Sequence, residues 1–406
     1  MTGILRLVVV VATLIGLLRW RRNLTLAVSG ATLAAVLLFH IPVKSALTAA
    51  WEIIFHSGSL QLFAIVVLVI FLGSVQKETG MFDRLIRSLN SVIRDGRIVA
   101  MVGPAIIGFL PMPGGALFSA PLVEVSTRSM NLTPHFRTYL NYWFRHPWEF
   151  VWPIYAGLLL FQTMSGYSLR RIILYQAPFT LIHILGGLAI SFIYYRRHGV
   201  GPMRPSDTNN FWGTVGDFLE GTWPIMGVII LFFGFGLPLH VALLISVLSV
   251  VMVKRLPPKK IMYHLWNGRM GRTLLLLAVV LVFQKIMLIS HVFAAFEGSI
   301  LSTPSAVLLI IGVSFTMGLL TGVNTAFIAI AFPILHPLIQ GLPNAFSLGV
   351  YVYVIGFCGV LLSPLHLCLV LTNEYFKSSL LKVYRYLLPS VFLIALVATI
   401  LTLASA

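Results

Sequence analysis

Charge is what this chain of 406 residues has least of. Only 10% of its residues are Asp, Glu, Lys or Arg, and 58% are apolar; a soluble globular domain carries roughly 25% charged residues. Acidic residues are the scarcer kind, 11 against 28 basic ones. This shortage excludes a soluble fold, and no loop is long enough for a separate extramembrane domain. The two cysteines, Cys358 and Cys368, lie in one apolar segment, which excludes a disulfide framework. No Walker loop, Rossmann fingerprint, Gly-x-Ser-x-Gly elbow or metal-type Cys/His spacing occurs, so no enzyme, cofactor or resident metal is expected. The net charge of +17 is scattered between hydrophobic segments. It is read as topology signal facing anionic lipid, with no nucleic-acid partner. Ile4–Leu18 has no small-residue cleavage site and is followed by Arg19-Trp-Arg-Arg22, so it is read as a retained span.

What is present is a succession of apolar runs, many exceeding the ~18 residues a spanning helix needs. Spans are expected at about 4–18, 24–40, 60–76 and 172–195, then 222–235, 237–253, 273–284 and 387–401. A short amphipathic connection is expected at 41–58, an interfacial helix over Lys77–Arg97 with Met81, Leu85, Ile86, Leu89 and Val92 on one side, and an amphipathic piece at Ile289–Leu301. Four apolar stretches are interrupted. Gly108-Phe-Leu-Pro-Met-Pro-Gly-Gly115 breaks the run 98–126, because Pro111 and Pro113 remove backbone donors and Gly114-Gly115 add freedom. Its arms are too short to span singly, so it is read as a re-entrant hairpin. A second hairpin, 303–335, breaks at Thr321-Gly-Val-Asn-Thr325. Two long segments, 138–162 and 347–371, break at His146-Pro147 and Ser363-Pro364.

These elements recur in one order. Gln76-Lys77 returns as Gln284-Lys285, 208 positions on, Gly108 as Gly318, 210 on, and Pro147 as Pro364, 217 on. The reading is an all-α polytopic membrane protein with about ten transmembrane helices plus two re-entrant hairpins. They form two repeats, 1–196 and 222–406, joined by a cytoplasmic linker, 197–221. Five crossings per repeat is odd, so the repeats are inverted, as in secondary transporters. With Arg19–Arg22 inside, loops 77–97, 127–137, 196–210, 254–272 and 374–385 also fall inside, and together these regions hold 22 of the 28 basic residues. Both termini are then outside the cytoplasm of a prokaryotic inner membrane. Arg170-Arg171 is the discordant pair.

Paired hairpins, each followed by a proline-broken helix, resemble the ion-transporter superfamily of divalent-anion/sodium symporters and citrate, gluconate and arsenite permeases. The Gly-Phe-Leu-Pro-Met-Pro-Gly-Gly-Ala-Leu stretch is most similar to an uncharacterised integral membrane family in it, domain of unknown function 401. The resemblance covers essentially the whole chain and implies elevator-like alternating access, with a homodimer expected by analogy. In the sodium-coupled dicarboxylate members each tip carries Ser-Asn-Thr, which binds sodium and substrate carboxylate. Here Val323-Asn324-Thr325 keeps the Asn and Thr, while Pro113-Gly114-Gly115 has no side-chain oxygen, so the resemblance carries a sodium site to the second tip only.

Candidate residues follow from chemistry. Pro113, Gly114 and Gly115 let an anion approach bare backbone, and a half-helix starting there aims N–H groups at it; the bland alternative is close helix packing. Asn324 and Thr325, with Thr321 and Ser314 weaker, offer oxygens to a carboxylate or Na+. In Asn141-Tyr-Trp-Phe-Arg-His-Pro-Trp-Glu149, Glu149 is the one carboxylate placed firmly inside the spans, an expensive position and a candidate coupling group. Arg145, one helical turn away, is expected to pair with Glu149 or with a substrate carboxylate; the alternative sets Arg145 and His146 at the headgroups. Ser363 and His366 take the corresponding place in the second half. Cys358 and Cys368 are read as inert packing, and Lys285 as snorkelling. The expected function is a secondary active transporter of a small organic anion, a carboxylate, coupled to H+ or Na+. The alternative is a cation/proton antiporter using Glu149.

Overall fold

A computed structural model describes residues 3–21, 23–81, 84–85, 88, 95–109, 115–201, 211–265, 268–290 and 303–405. Among them are helices and no strands. In chain order the helices are α1 (Gly3–Arg21), α2 (Leu24–Leu38), α3 (Val43–Ile54), α4 (Ser57–Glu78), α5 (Gly96–Gly108), α6 (Ala116–Ser126), α7 (Pro134–Trp143), α8 (Ala156–Ser165), α9 (Leu169–Arg197) and α10 (Phe211–Ile229). They continue with α11 (Leu239–Val253), α12 (Pro258–Leu265), α13 (Gly268–Ile289), α14 (Thr303–Ile310), α15 (Thr316–Thr321), α16 (Asn324–Ile339), α17 (Ala345–Leu361), α18 (Leu367–Phe376) and α19 (Leu380–Ala404). A π turn, Ile311–Phe315, joins α14 to α15, and another, Ile230–Gly234, extends α10. Polar side chains start several helices: Asn23, Asp95, Thr133 and Ser168 each accept a backbone N–H of the first turn.

Six helices are long and apolar enough to cross a bilayer, which fits a membrane protein: Ser57–Glu78, Leu169–Arg197, Val215–Gly234, Met270–Ile289, Pro304–Thr321 and Leu380–Ala404. Several shorter apolar helices accompany them. Three expectations change. The connection at 41–58 is mostly the helix α3. The third-quarter helix α10 begins at Phe211, inside the expected linker. The second hairpin is not built from two half-length arms, since 303–321 runs without a break for ~28 Å at 1.5 Å per residue. The first hairpin does have short arms, of 13 and 11 residues. Of the expected interfacial helix, Met81 and Leu85 are buried, while Ile86, Leu89 and Val92 lie outside the described residues, as does most of Ile289–Leu301.

Packing sorts the helices into two groups. One comprises α1–α4, α10, α11 and α13, in which α13 packs on α2 and α3, and α11 on α4 and α10. The other holds α5–α9 and α14–α19; within it α17, whose residues 347–361 are all buried, packs on α14, α15, α16, α19 and α9. The groups meet mainly where α8 touches α4 and α16 touches α13. Aromatic bulk is concentrated in the second group: of the largest fully buried side chains, all but Phe283 belong to it, including Trp143, Tyr142, Tyr353 and Phe357.

The basic stretches gather at one end. Arg97 Nη1 donates to Val200 O (3.2 Å), Lys260 Nζ meets Glu78 (2.5 Å), and Lys254 (2.5 Å) and Arg84 both hold Glu220. Thr133 N donates to Tyr194 Oη (3.1 Å), the Thr138 and Ser378 hydroxyls share a bond (2.7 Å), and Ser379 N donates to His135 Nδ1 (3.3 Å). At the other end Lys285 lies 3.6 Å from Glu52, an ion pair in place of simple snorkelling. The discordant pair has a local use there. Arg170 donates to the carbonyl of Phe232 (2.6 Å), which a π turn leaves without its ordinary helical partner, and Arg171 stacks over the Phe346 ring at 3.9 Å.

Candidate functional site

A helix broken inside a bilayer leaves carbonyls that water cannot reach, and they must find donors within the protein. The chain supplies those donors from side chains at the breaks themselves. Trp148 Nε1 donates to Ala105 O (2.7 Å) and Tyr155 Oη to Gly108 O (2.6 Å), tying the end of α5 to the first break. Ser363 Oγ donates to Leu319 O (2.6 Å), tying α15 to the second break. Tyr142 Oη crosses from α7 to Leu361 O at the end of α17 (3.0 Å), and Tyr384 Oη takes Leu362 O (2.8 Å). His146 Nδ1 meets Tyr142 O (2.6 Å), and His366 Nδ1 meets Gly322 O (2.8 Å). Glycine is required at both approaches: a Cβ on Gly108 would strike the Arg145 carbonyl, and Gly322, at φ +63, lies against the backbone of Leu365 and His366.

With those carbonyls satisfied, a polar cluster is left at the centre. Asn324, the first residue of α16, donates from Nδ2 to Glu149 Oε2 (2.7 Å) and to Tyr353 Oη (2.9 Å). Tyr353 Oη in turn donates to the Glu149 carbonyl (2.6 Å). Both amide hydrogens of Asn324 are thereby committed, and its buried Oδ1 accepts no hydrogen bond among the described residues. Glu149 Oε1 lies 3.9 Å from His146 Nε2, which stands 3.1 Å from His366 Nε2. The Cys368 sulfur completes this corner, lying within 4.8 Å of a ring nitrogen of each histidine. Arg145, 3% exposed, is close enough to act electrostatically on Glu149 and Cys368. Three half-helix N-termini converge on the cluster, at Gly157 of α8, Asn324 of α16 and His366 before α18; the side chain of Asn324 packs against Gly157 so closely that a Cβ there would sit 2.8 Å from it.

Of the residues expected from sequence, Glu149, Asn324 and His366 come together here, with Arg145 beside them. Arg145 and His146 are buried, so the headgroup alternative is wrong for both. The expected helical turn linking Arg145 to Glu149 is also absent: α7 ends at Trp143, and a 3-10 turn, Pro147–Phe150, redirects the chain so that Glu149 faces Asn324. Ser363 and Thr321 spend their hydroxyls on local carbonyls, Leu319 O and Met317 O (2.8 Å). Ser314 is buried in the π turn, and its hydroxyl has no hydrogen-bond partner among the described residues. Thr325 is half-buried next to Asn324. Gly115 is buried at the start of α6, while Pro113 and Gly114 lie outside the described residues.

Sequence reasoning missed Tyr353, Tyr142, His146 and Cys368. Tyr353 carries no motif and sits in an otherwise apolar helix. Cys368 had one faint signal, its place two residues after His366. Asn141, quoted only as the start of a motif, bridges Ala116 O and Thr372 Oγ1 (3.0 Å each) and so holds α6 to both broken helices.

A family model described as "Protein of unknown function (DUF401)" matches residues 4–404, and the chain belongs to that family. A comparison with curated proteins found no match.

Proposed function

We propose that this member of the family is a secondary active transporter of a small organic anion, with a carboxylate as the substrate class, driven by a gradient of Na+ or H+. The observation that carries the reading is the convergence of three half-helix N-termini and Arg145 on one buried polar cluster drawn from both halves of the chain. Helix N-termini and a guanidinium favour an anion in a site that water does not fill. The unused Oδ1 of Asn324, next to Thr325, is the first place to seek a coupling Na+, which takes oxygen ligands. The resemblance to the ion-transporter superfamily, the two inverted repeats and the count of about ten spans plus two hairpins belong to this reading. So do a prokaryotic inner-membrane location, with the basic end cytoplasmic and both termini outside, and a homodimer. The division into two packed groups supports elevator-like alternating access, the hairpin-bearing group moving against α1–α4, α10, α11 and α13.

The test is uptake of labelled small mono-, di- and tricarboxylates by proteoliposomes under imposed Na+ or pH gradients. One of them should accumulate against its gradient, and Asn324→Ala should reduce accumulation at least about tenfold, the usual scale for losing a bidentate polar contact. Wild-type vesicles that accumulate no carboxylate under either gradient would sink the reading.

A further inference from the structure

We propose that His146, His366 and Cys368 form a binding site for one d-block divalent cation of the zinc or cobalt type. The argument begins with the ring protons. Each Nδ1 faces a backbone carbonyl, Tyr142 O at 2.6 Å and Gly322 O at 2.8 Å, and a carbonyl only accepts. Both rings therefore carry their proton on Nδ1. In the neutral rings two Nε2 lone pairs then face each other across 3.1 Å with no hydrogen between them. Two lone pairs aimed at one point, each ring locked by an Nδ1–H to a carbonyl, is how metal-ligating histidines are oriented.

The third group fits the same chemistry. Cys368 stands two residues beyond His366, and its Sγ and one ring nitrogen of each histidine all lie within 4.8 Å of one another. Ligand atoms around a tetrahedral zinc ion are roughly 3.3–3.8 Å apart, given Zn–N near 2.0–2.1 Å and Zn–S near 2.3 Å. The imidazole pair, at 3.1 Å, stands slightly inside that spacing, so the rings part a little to admit the ion, and the sulfur lies within reach of both rings. Glu149 Oε1, 3.9 Å from His146 Nε2 but outside the group of three, is the carboxylate that supplies a fourth ligand if its side chain turns toward the ion. On binding, the Cys368 thiol gives its proton to solvent. The thiolate and the Glu149 carboxylate then set two negative charges against the ion's two positive ones. A nitrogen- and sulfur-rich set selects zinc-type ions over Na+, Mg2+ or Ca2+, which prefer oxygen. The site goes beyond the anion reading and does not depend on it, since a chain that moves no carboxylate still holds the ion.

The experiment uses the purified, chelator-stripped full chain in detergent, titrated with Co2+. The expected result is about one equivalent per chain, with a thiolate-to-cobalt charge-transfer band in the near ultraviolet that Zn2+ bleaches. Cys368→Ser should abolish that band, while Cys358→Ser, at the other cysteine, should keep it. His366→Gln and His146→Gln should each weaken binding at least about tenfold. A wild-type protein with no such band overturns the proposal regardless of how the variants fold. A band that survives Cys368→Ser, or one that disappears in Cys358→Ser, also overturns it.

Discussion

Exchanging the two partners of the Glu149–Asn324 bond gives a prediction whose sign and size both follow from the geometry. Asn324→Asp keeps the shape but replaces an amide donor with a second carboxylate 2.7 Å from Glu149 Oε2. Two losses add. The hydrogen bond to a charged acceptor is worth about 1.5–3 kcal/mol. Assayed where both carboxylates are ionised, two like charges relaxed to ~4 Å at an effective dielectric of ~20 repel by about 4 kcal/mol, a term that a proton shared by the pair removes. Partial escape of the new side chain trims the sum, leaving a destabilisation on the order of 4–5 kcal/mol. Asn324→Ala loses that bond and the one to Tyr353 Oη, without the repulsion, and should cost about 2–3 kcal/mol. In the double variant Asn324→Asp with Glu149→Gln, the donor sits on residue 149 and the acceptor on 324. The bond re-forms with its direction reversed, and the cost should fall to about 1 kcal/mol. A double-mutant cycle should therefore give a coupling of at least about 3 kcal/mol, well beyond additive behaviour. The assay is unfolding in mixed micelles followed by tryptophan fluorescence, and Trp143, Trp148 and Trp152 lie beside the reporting region. If Asn324→Asp is no worse than Asn324→Ala, or the double variant is additive, the bond is not present in the folded protein.

Gly322→Ala should destabilise by about 2 kcal/mol or more, because a left-handed φ costs a non-glycine residue about 1–2 kcal/mol and the added Cβ would sit 2.8 Å from His366 N and Leu365 C; thermal unfolding checks it, with Gly341→Ala, where a Cβ meets open space, as the near-neutral comparison. Tyr353→Phe removes one donor and one acceptor from the cluster and should cost about 1–3 kcal/mol, with far less effect on the site if Glu149 is held by its side chain alone. Arg170→Met should loosen the π turn at Phe232, read as faster amide exchange confined to 230–236. Single cysteines placed at Lys260 and Arg196 should react with an impermeant reagent from the same side of a sealed vesicle, and one at Glu52 from the other. Labelling of all three from one side would break the assignment of the basic loops to one end.

Proline alone does not mark a break here, since Pro104, Pro121, Pro178, Pro224, Pro333, Pro337 and Pro389 lie inside helices; the breaks were legible where proline or glycine stands beside polar residues in an apolar run. Hence His146-Pro147, Ser363-Pro364 and Thr321–Thr325 interrupt helices where expected, and Glu149, Asn324 and His366 stand at those interruptions. What the breaks do to the chain's direction was not legible. Arg145 and Glu149 look paired on a helical wheel, but the 3-10 turn at Pro147–Phe150 sends Glu149 to a residue 175 positions away. Cys368 looked inert for the same reason. Its neighbours His146 and His366 meet only after the two broken helices pack, and no spacing rule connects positions so far apart. Tyr353 and Tyr142 were hidden differently: an aromatic in a buried helix has the signature of packing, and only the carbonyl opposite its hydroxyl gives it another role. The length of the second hairpin's first arm was obscured by Gly312, which sits in the π turn, and Gly318, which sits in the helix after it; neither ends the helix.

The two tips differ in how they are held, and the difference bears on where ions and substrate go. The first is fastened by side chains of its own half, Trp148 and Tyr155, which close its carbonyls at Ala105 and Gly108. The second is fastened at Leu319 and Gly322 by Ser363 and His366, but its Asn324 also crosses to Glu149 in the other half. A charge change at Glu149 is therefore felt by the second tip through a hydrogen bond, and by the first through Tyr155, which lies within its electrostatic reach. Binding of a cation near Glu149 draws on the same carboxylate that holds Asn324, so it weakens the tip's attachment as it forms. The hold on the start of α16 therefore depends on what Glu149 binds, while the hold on the first tip rests on the Trp148 and Tyr155 donors.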